Sequence, residues 1–277
     1  GLFHRAAMQS GSQLTLATPE EATATTLRVL KSLDIKPDNL SKLETIPLGQ
    51  LMAAARGNFR PVVKTPAFPA HPFDPVASSL SAGVPLIVGD NRTETSVFMG
   101  NTPSLINIDE AILVEQLQRV VPKDEVESVI AMYRRLYPNA NRDEIMYMAT
   151  TDRGSFLKTT LVAERKAALK KAPAYMYGFY RHSPTDNGRW YSPHGAELPF
   201  VFDTLHYANT WDELTPDTQL LADQMSTAWA NFAKTGVPAG GVVPEWPSYD
   251  VEARPTMIFD TPPKGSRIED DPRSEQR

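Results

Sequence analysis

The run Val84-Pro85-Leu86-Ile87-Val88-Gly89 constrains this chain more than any other stretch. It is apolar without alternation, rich in β-branched residues, and bounded by Gly83 and Gly89. A strand with no polar face needs cover on both sides, which is the situation of a parallel strand between helical layers. Three further segments read as strands: Leu2 to Gln9, the aromatic-rich Ala174 to Arg181, and Pro255 to Asp260. Between them the apolar spacing predicts helices. Glu20 to Leu33 carries Leu27, Leu30 and Leu33 at helical intervals behind Thr18-Pro19, and Leu48 to Arg56 is a shorter helix stopped by Gly57. Asp109 to Val121, Lys123 to Tyr137, Arg142 to Thr150 and Ser155 to Lys171 form a helical block. A last helix starts at Thr215-Pro216-Asp217 and runs to Lys234 before Gly236. Strands alternating with helices argue for an α/β fold around a mostly parallel sheet.

The segment from Phe59 to Ala82 holds Pro61, Pro66, Pro69, Pro72 and Pro75 and is predicted to be irregular. Phe59, Val62, Val63, Phe68 and Phe73 lie among the prolines, which marks a fixed surface excursion rather than a linker. The tail from Lys264 to Arg277 is charged and expected to fray. No repeat divides the 277 residues, and 1–277 is read as one domain. With a formal net charge of −5 and no basic patch, nucleic acid is not an expected partner. No apolar run approaches the roughly 18 residues needed to span a bilayer. Cysteine is absent, which removes disulfides, thiolate chemistry and the usual ligands of structural zinc. No metal or cofactor is implied, and a bacterial setting, cytoplasmic or secreted, is favoured. Asn39-Leu40-Ser41 and Asn91-Arg92-Thr93 match the glycosylation pattern, which is short enough to arise by chance. Gly1 to Met8 is neither an initiator methionine nor a signal peptide, and the chain reads as opening in the middle of a fold.

Two loops place titratable groups directly after strand candidates. Glu94 lies in Asp90-Asn91-Arg92-Thr93-Glu94-Thr95-Ser96, and His194 lies in Ser192-Pro193-His194-Gly195, just before the run Leu198 to Phe202. In open α/β sheets, ligands bind beyond the carboxyl ends of the strands. A carboxylate that accepts from one imidazole nitrogen fixes the tautomer and leaves the other nitrogen as a general base toward a hydroxyl. On the residues alone, a Glu and a His 100 positions apart also read as two exposed surface side chains.

Four blocks carry a family resemblance. Gly1-Leu2-Phe3-His4-Arg5-Ala6-Ala7-Met8-Gln9-Ser10-Gly11-Ser12 resembles the segment after the nucleophile helix of type-B carboxylesterases, the carboxylesterase/cholinesterase family. Gly83 to Glu94 resembles that family's acid-loop strand, and His194 to Phe202 its histidine loop. Trp229 to Gly236, followed by Trp246-Pro247-Ser248-Tyr249, is similar to its last helix and aromatic loop. The blocks come in the family's order and cover essentially the whole chain. The resemblance implies the C-terminal half of an α/β-hydrolase fold with helical insertions, acting on small-molecule carboxylic esters through an acyl-enzyme in the complete protein. It makes Glu94 the triad acid and His194 the triad base. It makes Ser10 a buried hydroxyl supporting the acid, although a simple strand-end serine reads as well, and Glu197 a further buried carboxylate near the site. Phe98, Met99, Tyr133 and Met146 become lining for an acyl or alcohol pocket, or ordinary core. Where the family often has Asp before the acid and Gly after it, this chain has Thr93 and Thr95.

No Gly-x-Ser-x-Gly pentapeptide occurs; Ser79-Leu80-Ser81-Ala82-Gly83 comes nearest and lacks the first glycine. The family order Ser, acid, His implies a nucleophile and a glycine-rich oxyanion loop upstream, so the chain alone is expected to be inactive and to need its other half. A reading of a different class is a non-catalytic cholinesterase-like module for binding or adhesion; retention of both Glu94 and His194 argues against it. Ser155-Phe156-Leu157-Lys158, Tyr137-Pro138-Asn139 and Lys234-Thr235-Gly236 spell elements of penicillin-binding enzymes, but Tyr137 precedes Ser155, and Lys-Thr-Gly closes a predicted helix instead of lying on a strand.

Overall fold

The strand predicted from Val84 to Gly89 forms at Leu86–Asn91, and every residue in it is buried. In the computed structural model, which describes residues 2–57, 59–207 and 211–270, the chain separates into two compact units: Gly1–Ser12 with Ser79–Arg277, and Gln13–Ser78.

The larger unit holds a sheet of five strands in the order β1-β2-β3-β4-β5. These are β1 Ala6–Gln9, β2 Leu86–Asn91, β3 Ala174–Phe179, β4 Pro255–Phe259 and β5 Arg267–Asp270. The first four run parallel, with Met8 beside Val88, Val88 beside Met176, and Phe179 beside Phe259. β5 pairs antiparallel to β4. It occupies part of the tail expected to fray from Lys264; residues 271–277 lie outside the described residues.

In the smaller unit, α1 Pro19–Ser32 opens on a capping box between Thr18 and Glu21, and α2 Leu48–Ala54 follows. The proline-rich stretch is irregular as expected and is pinned by two main-chain bonds, Ala17 N–H to Pro61 O and Val63 N–H to Ala17 O. Val63 and Phe73 are buried there, whereas Phe59 and Phe68 are exposed.

The remaining helices belong to the larger unit: α3 Ser96–Met99, α4 Glu110–Leu117, α5 Val126–Leu136, α6 Arg142–Thr151, α7 Leu157–Ala168, α8 Leu198–Val201 and α9 Pro216–Thr235. A π-helical turn, Asp152–Phe156, joins α6 to α7. The sheet is covered on both faces, as its apolar strands require. α7 packs against β2 and β3, while α9 buries Leu221, Met225, Ala228 and Phe232 against Ile87, Tyr175, Tyr177 and Phe259. The apolar residues of α4, α5 and α6 form a separate cluster. Gly236 ends α9 at φ 85°, so Lys234 and Thr235 are the last turn of a helix and not part of a strand.

Gly89 sits opposite Tyr177 in the β2–β3 ladder. A methyl group on Gly89 would lie 2.2 Å from the Tyr177 ring, and that ring is fully buried. Gly89→Ala is therefore expected to lower unfolding free energy by about 3 kcal/mol, the upper part of the usual overpacking cost. Denaturant titration of the protein checks this; a loss below about 1 kcal/mol would show that the ring moves aside easily.

Candidate active site

The acid loop begins where β2 ends, and the sequence misjudged that point. The strand continues through Asp90 and Asn91, both polar and both buried. Glu94 is buried, and its carboxylate accepts from three elements. Ser10 Oγ, just beyond β1, donates to Oε1 at 2.6 Å. The main-chain N–H of Asn91 donates to the same oxygen at 2.5 Å. His194 Nδ1 lies 2.6 Å from Oε2. An ionised carboxylate only accepts, so Nδ1 carries the proton and Nε2 holds the lone pair when the ring is neutral.

His194 is presented by a turn in which Ala196 N–H donates to Pro193 O at 3.1 Å. Gly195 takes φ 80° there, a left-handed conformation that a side chain would strain. The His194 side chain is 47% exposed against 6% for Glu94. The ring is thus gripped from the Nδ1 side, and Nε2 has no hydrogen-bond partner among the described residues. Phe98, itself exposed, lies 5.6 Å from the imidazole, centroid to centroid.

The two departures from the family pattern each hold the acid loop. Thr93 and Ser192 bond reciprocally: Ser192 N–H donates to Thr93 Oγ1 at 2.8 Å, and Thr93 N–H donates to Ser192 O at 3.1 Å. Thr95 Oγ1 reaches α6, 2.7 Å from Thr150 Oγ1 and 3.1 Å from Tyr147 O. Arg92 completes the anchorage, 3.3 Å from Glu144 and 4.5 Å above the Tyr137 ring.

Glu197 is 2% exposed and lies beneath the histidine loop. Asn91 Nδ2 donates to its Oε2 at 2.6 Å, and Gln9 Nε2 donates to its Oε1 at 3.2 Å. Gln9 Oε1 in turn accepts from Trp229 Nε1 at 3.1 Å. Of the expected lining residues, only Phe98 meets His194. Met146 and Tyr133 are in the helical core, and Met99 packs against it. Tyr133 donates to Asp152 Oδ2 at 2.5 Å and lines a cavity of about 270 Å3 with Val129, Met132, Phe156 and Leu157.

The fold brings Glu94, His194, Ser10 and Glu197, which the sequence singled out, into one network, together with Asn91, Gln9, Ser192 and Trp229, to which the sequence reading gave no part. Asn91 was visible as part of the polar acid loop and of a glycosylation pattern, with no role of its own, and its full burial removes it as an acceptor in the folded protein. Among the described residues no cluster of three His, Asp or Glu side chains is arranged to hold a metal, and no helix is long and apolar enough to cross a membrane.

Charge is shared unevenly here. The hydrogen bond that His194 donates to Glu94 raises the pKa of His194 above that of an ordinary imidazole, against the opposing effect of partial burial. Burial raises the pKa of Glu197 above the usual carboxylate range, and the bond from Asn91 offsets part of this. Burial also raises the pKa of Tyr177, and the carboxylates of Glu197, Asp90 and Glu94 add to the effect.

A mostly parallel sheet with helices on both faces, carrying a carboxylate–imidazole pair on the loops beyond two neighbouring strands, defines the α/β-hydrolase class of fold. A family model described as the carboxylesterase family matches residues 1–276. The para-nitrobenzyl esterase of Bacillus subtilis (strain 168) is 32% identical over 293 residues, covering 100% of this chain and 56% of that protein. The human cocaine esterase is 27% identical over 278 residues, covering 91% of this chain and 48% of that protein. The structure of carboxylesterase EST55 from Geobacillus stearothermophilus at pH 6.2 matches with a TM-score of 0.79 at 32% identity, over 100% of this chain and 58% of that one. The chain belongs to the carboxylesterase family, and it spans about half the length of the curated relatives it matches.

Because Glu94 raises the pKa of His194 in the fold, the pair stabilises the protein fully below the unfolded imidazole value of about 6.5, and this contribution fades as pH rises through the folded value. Glu94→Gln is expected to move the His194 titration midpoint downward and to flatten the pH dependence of stability across that window. Histidine-selective NMR titration reads the midpoint; an unchanged value would mean that the carboxylate does not control the ring.

Proposed function

We propose that this chain supplies the acid and the base of a serine carboxylesterase, as one partial hydrolase domain whose nucleophile and oxyanion donors lie in another portion of the protein. The observation that carries this reading is the 2.6 Å contact of His194 Nδ1 with a Glu94 carboxylate that is itself held by two further donors. The half-exposed ring leaves Nε2 reachable by a serine hydroxyl. In the complete enzyme, Nε2 takes the serine proton as the oxygen attacks the ester carbonyl, then passes it to the departing alcohol; water repeats the sequence to release the acid. Glu94 holds the tautomer and stabilises the imidazolium, with Ser10 as its buttress.

Small carboxylic esters are the substrate class, a reading supported by the names of the relatives, a para-nitrobenzyl esterase and a cocaine esterase. Phe98, exposed beside His194, is placed to touch a bound ester. The apolar cavity lined by Val129, Met132 and Phe156 offers further binding surface within the helical region. A binding or adhesion module would have no use for a tautomer-fixed, solvent-reachable imidazole, and no observation favours that alternative.

The test uses the full-length esterase with para-nitrophenyl acetate. His194→Ala is expected to lower kcat by about 10⁴–10⁶-fold, as when the base of a serine triad is removed. The 277-residue chain alone is expected to hydrolyse the ester no faster than buffer. Retention of more than a tenth of the activity by His194→Ala would remove this residue from the mechanism.

A further inference from the structure

We infer that Asn91 is a positioning residue for the base: its side-chain amide fixes the turn that presents His194, while its main chain fixes Glu94. This rests on the ester-hydrolase reading above. Asn91 is fully buried at the end of β2. Its two amide hydrogens go to Pro193 O at 2.6 Å and Glu197 Oε2 at 2.6 Å. A carbonyl oxygen only accepts, so the contact with Pro193 O dictates the orientation of the amide.

Pro193 O is also the oxygen that closes the turn, accepting from Ala196 N–H. It belongs to the peptide unit immediately before His194. The Thr93–Ser192 pair holds the loop one residue earlier. The bond from Asn91 gives Pro193 O a second donor and ties this turn to the end of β2. Glu197 fastens the far side of the same loop, and Gln9 and Trp229 extend the connection to β1 and α9. One residue thus sets the distance between acid and base from both ends. Misplacement of a catalytic group by about 1 Å can cost about 10²-fold in rate.

Asn91→Leu in the full-length esterase keeps the approximate volume and removes both donors. The expected result is a kcat lower by about 10²-fold, with KM changed less than about threefold. In histidine-selective NMR, the His194 Nδ1–H signal is expected to exchange faster with water and the ring to titrate at lower pH. The charged groups acting on the ring are Glu94, Glu197 and Asp90; of these only Glu197 loses a donor, and that loss raises its pKa, so the exchange rate of Nδ1–H, rather than the titration shift, reports placement. If Asn91→Leu does not fold, Asn91→Ser takes its place, since its smaller side chain admits a water. A folded variant with kcat within twofold of wild type and an unchanged His194 signal would overturn the inference and leave Asn91 as core filling. If the wild-type protein hydrolyses no ester, the functional reading fails, while the NMR comparison still decides whether Asn91 places the ring.

Discussion

The site depends on one buried negative charge. A carboxylate removed from water is costly unless donors replace its hydration, and Glu94 receives donors from the end of β1, the end of β2 and the histidine loop. Those donors converge because β1 and β2 run parallel in a set register, with Gln9 beside Gly89, so that Ser10 and Asn91 emerge at the same end of the sheet. A slip of one residue would turn Ser10 to the opposite face. Ser10 takes φ 55° to make the contact, a conformation uncommon outside glycine. The chemistry of the loops is therefore inherited from the pairing of two strands far apart in sequence.

The hydroxyls of Thr93 and Thr95 tie the acid loop to its surroundings on two sides. Each sits next to the acid, and each points away from it, one to the histidine loop and the other to α6. Glu94 is thus bracketed by two side chains that carry no charge and leave its own carboxylate free to meet His194.

Much of the fold was legible because local rules and global fold agree. The capping residues and apolar spacing of α1 and α9 place them within a residue or two of expectation, at Pro19–Ser32 and Pro216–Thr235. The apolar run of β2 announced a covered strand, but its last two residues did not: Asp90 and Asn91 are polar, polarity reads as loop, and only distant partners make their burial tolerable. β5 was missed for a related reason. Arg267-Ile268-Glu269-Asp270 reads as a charged tail, and an outer strand with one partner has no need of an apolar face. The short helices α3 and α8 are single turns, below the length at which periodicity speaks. In the candidate site, ordered motifs singled out Glu94, His194, Ser10 and Glu197, which the fold brings together. Asn91, Gln9, Ser192 and Trp229 act through partners brought from as far as 220 positions away, and nothing local in their sequence context signals that.

The two outer strands of the sheet differ in a way that gives the molecule a seam. β5 presents Arg267, Glu269 and Asp270, with Arg254 paired to Asp270 at 2.7 Å and Arg267 paired to Glu269, so an incoming strand would meet a row of charge. β1 is Ala6-Ala7-Met8-Gln9, uncharged along its length, and among the named strands it pairs with β2 alone. An added strand would therefore meet no charge on β1 and a row of charge on β5.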